Sequence, residues 1–493
     1  MYLGLDLGTS ELKALLLAGD HRIVGVAREP LTVQRPQPLW AEQAPSQWWD
    51  AVQQVMAELH VAHPVPMSAV RAIGLSGQMH GAVALDAQDQ VLRPAILWND
   101  GRSAAECDEL MRAVPRLADI SGNLAMPGFT APKLAWMRKH EPDLFARVRR
   151  VLLPKDWLRL MLSGEAVSEM SDAAGTLWLD VGRRDWSDEL LAATGLTRAH
   201  MPRLVEGSAP SAMLKPELAS RWGLPAKVLI AGGAGDNAAS AVGMGLVAPG
   251  QGFVSLGTSG VIFVSTDRFL PNPAQAMHAF CHALPGRWHQ MSVMLSAASA
   301  ISWATKAFNF ADEAALLSAA ATLNDAQRAI CPLFLPYLSG ERSPHNDAHA
   351  QGVLFGLAHN HGPAELAYAV VEGVSFGLRD GLDTLLLPPE TPLRELALVG
   401  GGARSLWWGQ LLADVLNTPL VLYAGGEAGG ALGAARLGWL ADGGPVEQVC
   451  TLPAEQHRFV PAVAAVDRHG PRYQRFRALY QSLRNAFPRV PAR

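Results

Sequence analysis

The chain has 493 residues, 49% of them hydrophobic, with 41 Lys and Arg against 45 Asp and Glu and a formal net charge of -4. That length can bury large cores and points to two or three domains, while the charge balance lacks the basic excess that a nucleic-acid partner demands. The four cysteines, Cys107, Cys281, Cys331 and Cys450, have no spacing suited to a disulfide framework or a zinc site, and read as reduced thiols of a cytoplasmic protein.

The first residues enter strand-like sequence directly, without the basic region and apolar core of a signal peptide. An apolar run to Leu7, a polar tip at Gly8-Thr9-Ser10 and a second run from Leu12 to Leu17 predict a tight hairpin. Pro45 then opens an amphipathic helix to about His60, with Trp48 in its core face. The strand Val70 to Leu75 leads into Ser76-Gly77-Gln78-Met79-His80-Gly81. A hairpin is predicted to follow through Val83-Ala84-Leu85 toward Ala95, ending in Trp98-Asn99-Asp100-Gly101-Arg102. Ligands bind at the carboxyl ends of strands in open α/β sheets, and these two polar clusters around the Trp98 ring suit a polyol pocket. Each also has a plainer reading: His80 as a satisfied structural histidine, and Asp100 with Arg102 as a turn ion pair.

Between Leu110 and Trp222 the pattern is helical and punctuated by prolines, as expected of insertions on a first lobe. Lys133 and Lys155 there are either functional or the solvated ends of helices. The buried run Val228 to Ala231 follows, then glycines, then Asp236 at a helix start. Asp236 is either the N-cap of a helix reaching Met244 or a functional acid. No other charged residue separates it from Gly257-Thr258-Ser259-Gly260. Leu7-Gly8-Thr9-Ser10 returns as Leu256-Gly257-Thr258-Ser259, again before a strand-like run, which predicts two lobes of like fold. Such a tip offers backbone N–H groups and hydroxyls to a phosphate. Asp6 precedes the first tip where Ser255 precedes the second, as expected if a single magnesium ion lies nearer the first lobe.

The uncharged stretch from Ser292 to Lys306 predicts a buried helix. Polar residues interrupt it, as they do the stretch around Ile230, so neither reads as a membrane span. Residues Leu335 to Pro344 form an ordered loop holding Glu341-Arg342, and Ala364 to Leu387 a long helix. The strand Glu395 to Val399 ends in Gly400-Gly401-Gly402 before a helix from Leu406 to Leu416, where backbone can approach a phosphate or a flat ligand closely. A glycine-rich turn at 425–431 repeats that strategy. Beyond Gly443 a peripheral connector and one terminal helix, Tyr473 to Ala486, are expected.

The P-loop and dinucleotide fingerprints are both missing, as is HExxH. The ordered segments GLDLGTS (4–10), SGQMHG (76–81), ILWNDGR (96–102), PGFTAPKLAW (127–136), GGAGDNAA (232–239), SLGTSG (255–260), GERSPH (340–345) and VGGGARS (399–405) resemble those of the FGGY carbohydrate kinases over residues 1 to 440. The resemblance implies an α/β, two-lobed, duplicated actin-like (ribonuclease-H-like) ATPase fold with a cleft between its lobes. Its expected parts are a sugar-binding lobe at 1–245, a nucleotide-binding lobe at 246–442 and a peripheral extension at 443–493. It further implies ATP-dependent phosphorylation of a ketopentose, D-xylulose, at its terminal hydroxyl. Ribulose, fuculose, gluconate and glycerol are the alternatives, glycerol being disfavoured by the Met79-His80 pair. A nucleotide-driven switch of the same fold without a sugar is a further alternative.

Carried over by position, Asp236 is the catalytic base and Asp6 the acid near Mg²⁺, holding it through water. Met79 and His80 are sugar contacts, joined by Trp98, Asn99, Asp100, Arg102 and Asn237. Gly8, Thr9, Ser10, Gly257, Thr258 and Ser259 are expected on the phosphates, and Gly401, Gly402 and Ser405 on the adenosine side. The implied partners are a small sugar and ATP with Mg²⁺, without nucleic acid or membrane, and a homodimer is a family-level expectation.

Overall fold

In a computed structural model, which describes residues 1–425 and 429–488, the two Leu-Gly-Thr-Ser segments close equivalent hairpins. Strands Tyr2–Leu7 and Glu11–Leu17 pair antiparallel with Asp6 opposite Lys13. Strands Gly252–Leu256 and Gly260–Thr266 do the same with Ser255 opposite Val261. The likeness extends outward from the hairpins. In each sheet the first hairpin strand runs parallel to a later strand, Ala72–Gly77 or Leu396–Val399. The second pairs antiparallel with a third, Ile23–Pro30 or Trp288–Met294. A further parallel strand, Leu229–Ala231 or Leu420–Tyr423, and an antiparallel edge, Pro210–Met213 or Glu455–Phe459, complete the row. Two seven-stranded sheets of like topology result, the duplicated two-lobed α/β fold that the repeat predicts. The centre of the glycine-rich turn, Gly426, Glu427 and Ala428, lies outside the described residues.

Helices cover the sheets through spaced apolar positions. Pro45–Ala62 presents Trp48, Val52, Val55, Met56 and Leu59 to the first core, a spacing of three and four residues that forms one helical face. Two helices of small residues cross between lobes. Asp236–Met244 packs Ala241 and Met244 against Phe253, Phe263, Ala397 and Val421 of the second sheet. Gly429–Ala441 does the converse, packing Ala431, Ala435 and Leu437 with Tyr2, Leu15, Leu17 and Ala72 of the first. The expected lobe limits at 245 and 442 therefore follow the chain and not the packing. Glycine makes the crossing possible: a Cβ added at Gly433 would collide with the Ala239 carbonyl oxygen, and one at Gly74 with that of Ala434.

Three local expectations are corrected. Ser292, Val293 and Met294 end the strand Trp288–Met294, and the helix expected from Ser292 begins at Ala298. Cross-strand pairing of Val293 with Val261 and Met294 with Gly260 decides this. The hairpin expected from Val83 is present only as isolated antiparallel bridges, Ala82 with Ile96 and Leu85 with Val91, while the strand Val83–Leu85 pairs along its length with Arg150–Leu152 and Ala95–Ile96 with Glu42–Gln43. Their partners lie far along the chain, where a local pattern carries no information.

The third correction concerns residues 443–493, which are not peripheral over the described stretch. Strand Glu455–Phe459 forms an edge of the second sheet, and helix Val463–Leu483 buries Tyr473, Phe476, Leu479 and Tyr480 in the second core. Arg472 on this helix donates to both oxygens of buried Glu372, at 2.9 Å from Nε to Oε1 and 2.6 Å from Nη2 to Oε2. Removing one partner of a buried pair costs about 3–5 kcal/mol. Arg472→Ala is accordingly expected to lower stability by about that amount, read as a reduced urea midpoint. No helix among the described residues is long and apolar enough to cross a membrane.

Candidate active site

Two cavities flank the tip of the second hairpin. The larger, about 730 Å³, is lined by Gly257, Thr258, the helices Ala298–Ala307 and Glu313–Ala321, and Gly401, Gly402, Arg404, Ser405 and Trp408. The smaller, about 160 Å³, is lined by Met79, His80, Trp98, Phe129, Asp236, Asn237, Ser259, Met291 and Arg342, among others. Consecutive residues of one tip, Thr258 and Ser259, thus line different cavities. The tip is held from behind. The Ala298 and Ala297 N–H groups donate to the carbonyls of Gly257 and Thr258 at 2.9 and 3.0 Å, and Ser299 Oγ donates to the latter at 2.9 Å.

Asp236 is the first residue of its helix, with Gly235 in the cap position. The turn before it is fastened at both ends. Arg159 donates to the Gly232 carbonyl, and the Gly235 N–H donates to Ser171 Oγ at 3.1 Å. Ser171 is bound in turn by Glu169 at 2.8 Å. Lys155 lies fully buried beside this turn, 2.7 Å from Asp156, 3.3 Å from Glu169 and 3.0 Å from Asp172. It is a member of an internal ion cluster, not a solvated helix end. Asp236 Oδ1 accepts from the Asn237 N–H at 2.7 Å and from Asn237 Nδ2 at 2.9 Å, while Oδ2 has no hydrogen bond among the described residues. Burial, reinforced by the negative charge of Asp6, pushes this carboxyl up to about 6. Such a group can accept a proton near neutrality.

His80 occupies the left-handed backbone region at φ +69°, which non-glycine residues seldom adopt. Its Nδ1 donates to the Gly175 carbonyl at 2.6 Å, leaving Nε2 as an acceptor. Burial pushes the ring down to about 3, so it is neutral. Lys133 holds this turn. Fully buried, it donates from Nζ to the His80 carbonyl at 2.7 Å and to the Gly128 carbonyl at 2.8 Å. Gly175 is required as glycine, since an added Cβ would lie 2.8 Å from the His80 ring and from Met79 Cε. Trp98, 38% exposed, donates from Nε1 to Thr9 Oγ1 at 2.9 Å. The Thr9 hydroxyl itself donates to Gln78 at 3.1 Å.

Several expected site residues lie elsewhere. Asn99, Asp100 and Arg102 do not line the small cavity. Buried Asp100 accepts from the Ala41 N–H at 2.6 Å and from Arg102 Nε and Nη2 at 2.8 and 2.7 Å, and Arg102 stacks 3.6 Å from the Trp40 ring centre. The turn ion pair is the arrangement present. Gly8, Thr9 and Ser10 line neither cavity, and Ser259 lines the smaller one, not the larger. Phe129, Met291 and Arg342 had no assigned place in the site. The first two are apolar residues indistinguishable in sequence from core. Arg342 sits in a loop whose glycine and proline marked it as ordered.

Asp6 lies near enough to Asp236 to raise it, and a Cβ added at Gly430 would strike the Asp6 carboxylate. Burial raises Asp6 itself, against the lowering effects of Ser76 and Lys13. Two neighbouring half-buried carboxylates make this end of the site favourable to a cation. Among the described residues no group of three His, Cys, Asp or Glu side chains could hold a metal. That donor set fits Mg²⁺, which keeps waters and phosphate oxygens as ligands.

Residues 1–243 match the N-terminal domain of the FGGY family of carbohydrate kinases and residues 252–441 its C-terminal domain. The xylulose kinase of Escherichia coli (strain K12) is 51% identical over 486 residues, covering 98% of this chain and 99% of that protein. Crystal structures described as a xyloylose kinase from Brucella ovis and a xylulose kinase from Rhodospirillum rubrum superpose with TM-scores of 0.95 and 0.91, at 51% and 30% identity. They cover 98% and 99% of this chain, and 99% of each of those chains.

Proposed function

The chain belongs to the FGGY family of carbohydrate kinases and is an ATP-dependent sugar kinase; we propose that it transfers the γ-phosphoryl group of ATP to D-xylulose, giving D-xylulose 5-phosphate and ADP. The observation that carries this reading is the single hairpin tip between two cavities, with Thr258 on one side and Ser259 and Asp236 on the other. The names of the relatives at 51% identity support D-xylulose over the other sugars.

In this reading ATP occupies the larger cavity, its phosphates at Gly257 and Thr258 and its adenosine side along Gly401, Gly402 and Ser405. The sugar occupies the smaller one. His80 accepts a hydrogen bond from a sugar hydroxyl through Nε2, Met79 and Trp98 cover the sugar, and Asn237 holds Asp236 Oδ1 so that Oδ2 is free for the reacting hydroxyl. As the new O–P bond forms and the bridging β–γ bond breaks, Asp236 takes the hydroxyl proton. Phosphoryl transfer depends chiefly on positioning and charge stabilisation, and the apolar walls of the sugar cavity help exclude water as a competing acceptor. Mg²⁺, held by Asp6 through water, would supply charge neutralisation between the phosphates and the two carboxylates.

Coupled ADP release with D-xylulose, ribulose, fuculose, gluconate and glycerol side by side tests the assignment. D-xylulose is expected to give the highest kcat/KM. A higher value for another acceptor would reassign the substrate, and ADP release indifferent to every sugar would favour the nucleotide-switch reading.

A further inference from the structure

Arg342 lines the sugar cavity from the second half of the chain, whereas Met79, His80 and Asp236 come from the first. Its guanidinium has no carboxylate within ion-pair distance and no oxygen acceptor among the described residues. Its Nη1 lies 3.5 Å from His278 Nε2. Other interior arginines differ. Arg159 pairs with Asp156 at 2.9 Å and Arg472 with Glu372 at 2.6 Å. Adjacent Glu341 acts on Arg342 electrostatically but makes no hydrogen bond to its guanidinium, the Glu341 Oε1 accepting from the backbone N–H groups of Leu295 and Arg342 at 2.9 and 2.8 Å. A half-buried guanidinium whose N–H groups lack oxygen acceptors is unfavourable unless something supplies them.

The loop fixes where this cation sits. Ser343 Oγ donates to the Ala276 carbonyl at 2.8 Å and accepts from the Val293 N–H at 3.2 Å, so both neighbours of Arg342 are tied down. A row of rings leads to it from the other wall. His80 lies 4.6 Å from Phe129, Phe129 lies 5.6 Å from His278, and His278 meets Arg342. Arg342 acts electrostatically on His80 and His278, while Asp236 responds to Asp6. Asp236 and Arg342 thus line one cavity from different halves of the chain.

We propose that Arg342 is a substrate-contacting residue, its guanidinium donating hydrogen bonds to the C1 hydroxyl and C2 carbonyl of the ketose, the end remote from the hydroxyl at Asp236. The rigid fork of N–H donors suits two oxygens on adjacent carbons. This inference rests on the D-xylulose reading and adds a specificity contact to it. The second lobe then grips the sugar directly, so acceptor and nucleotide are brought together partly by the substrate itself.

The test measures ADP release by the full chain and its Arg342→Gln and Arg342→Lys variants, with D-xylulose and its 1-deoxy analogue, alongside thermal melts. Arg342→Gln is expected to lower kcat/KM for D-xylulose by about 10- to 100-fold, chiefly through KM. The same change should cost the 1-deoxy analogue several-fold less, because one of its two bonds is already gone. Arg342→Lys, which keeps the charge and loses the fork, should fall between and covers the case in which Arg342→Gln fails to fold. Equal losses on both acceptors, or a loss under about threefold on D-xylulose, would overturn the contact while leaving the substrate reading intact. A wild-type chain inactive on D-xylulose would overturn the substrate reading, and this contact with it.

Discussion

Asp236→Asn is expected to lower kcat by about 10²- to 10⁴-fold, the usual contribution of a positioned base, while D-xylulose binding by calorimetry changes only a few-fold. The replacement keeps the shape that accepts from Asn237 and removes the proton acceptor at Oδ2. The wild type should carry the same signature in its pH profile. Because burial and the Asp6 charge hold the Asp236 carboxyl up at about 6, its neutral acid form persists to that pH, and the neutral acid cannot take the hydroxyl proton. Log kcat/KM for the sugar should therefore fall with unit slope below about pH 6 and be flat above it. Retention of more than a tenth of wild-type turnover by Asp236→Asn would remove the base from this position.

Asp6→Asn is expected to cost about 10²- to 10³-fold in kcat, the scale on which loss of one stabilising group at a developing charge is felt, and to raise the Mg²⁺ concentration needed for half-maximal rate. It should also move the acid limb of the kcat/KM profile below that of the wild type. The sign follows from the neighbouring charge: the Asp6 carboxylate disfavours ionisation of Asp236, and an amide does not. A limb that stays in place or moves upward would mean the two carboxylates do not communicate, and an unchanged Mg²⁺ requirement would place the ion elsewhere.

Much of the site is legible from residue types because its chemistry is local. The glycines before Asp236, the isolation of that acid and the Met79-His80 pair after a strand all point to positions that line one cavity. Asp100 and Arg102 show the limit of that logic. Polar residues at a strand end satisfy each other as readily as they bind a ligand, and only the Ala41 N–H, nearly sixty residues away, decides that Asp100 is occupied. Lys133 and Lys155 read equally well as solvated or functional, and are neither solvated nor in the cavity. Each spends its donors on groups brought in by folding, the His80 carbonyl for one and Glu169 with Asp172 for the other.

What the amino-acid order determines unaided is whatever a few neighbouring residues enforce: alternating apolar runs for strands, glycine-hydroxyl tips for turns, and the repeated tip that makes two lobes of one plan. Only the tertiary structure settles which sheet each crossing helix covers, that the last strand and helix complete the second lobe, that Thr258 and Ser259 divide two cavities, and that Arg342 lines the same cavity as Asp236. Those outcomes depend on pairings between segments up to hundreds of residues apart, where burial and the presence or absence of a partner set the role of a side chain, and no local pattern encodes who that partner will be.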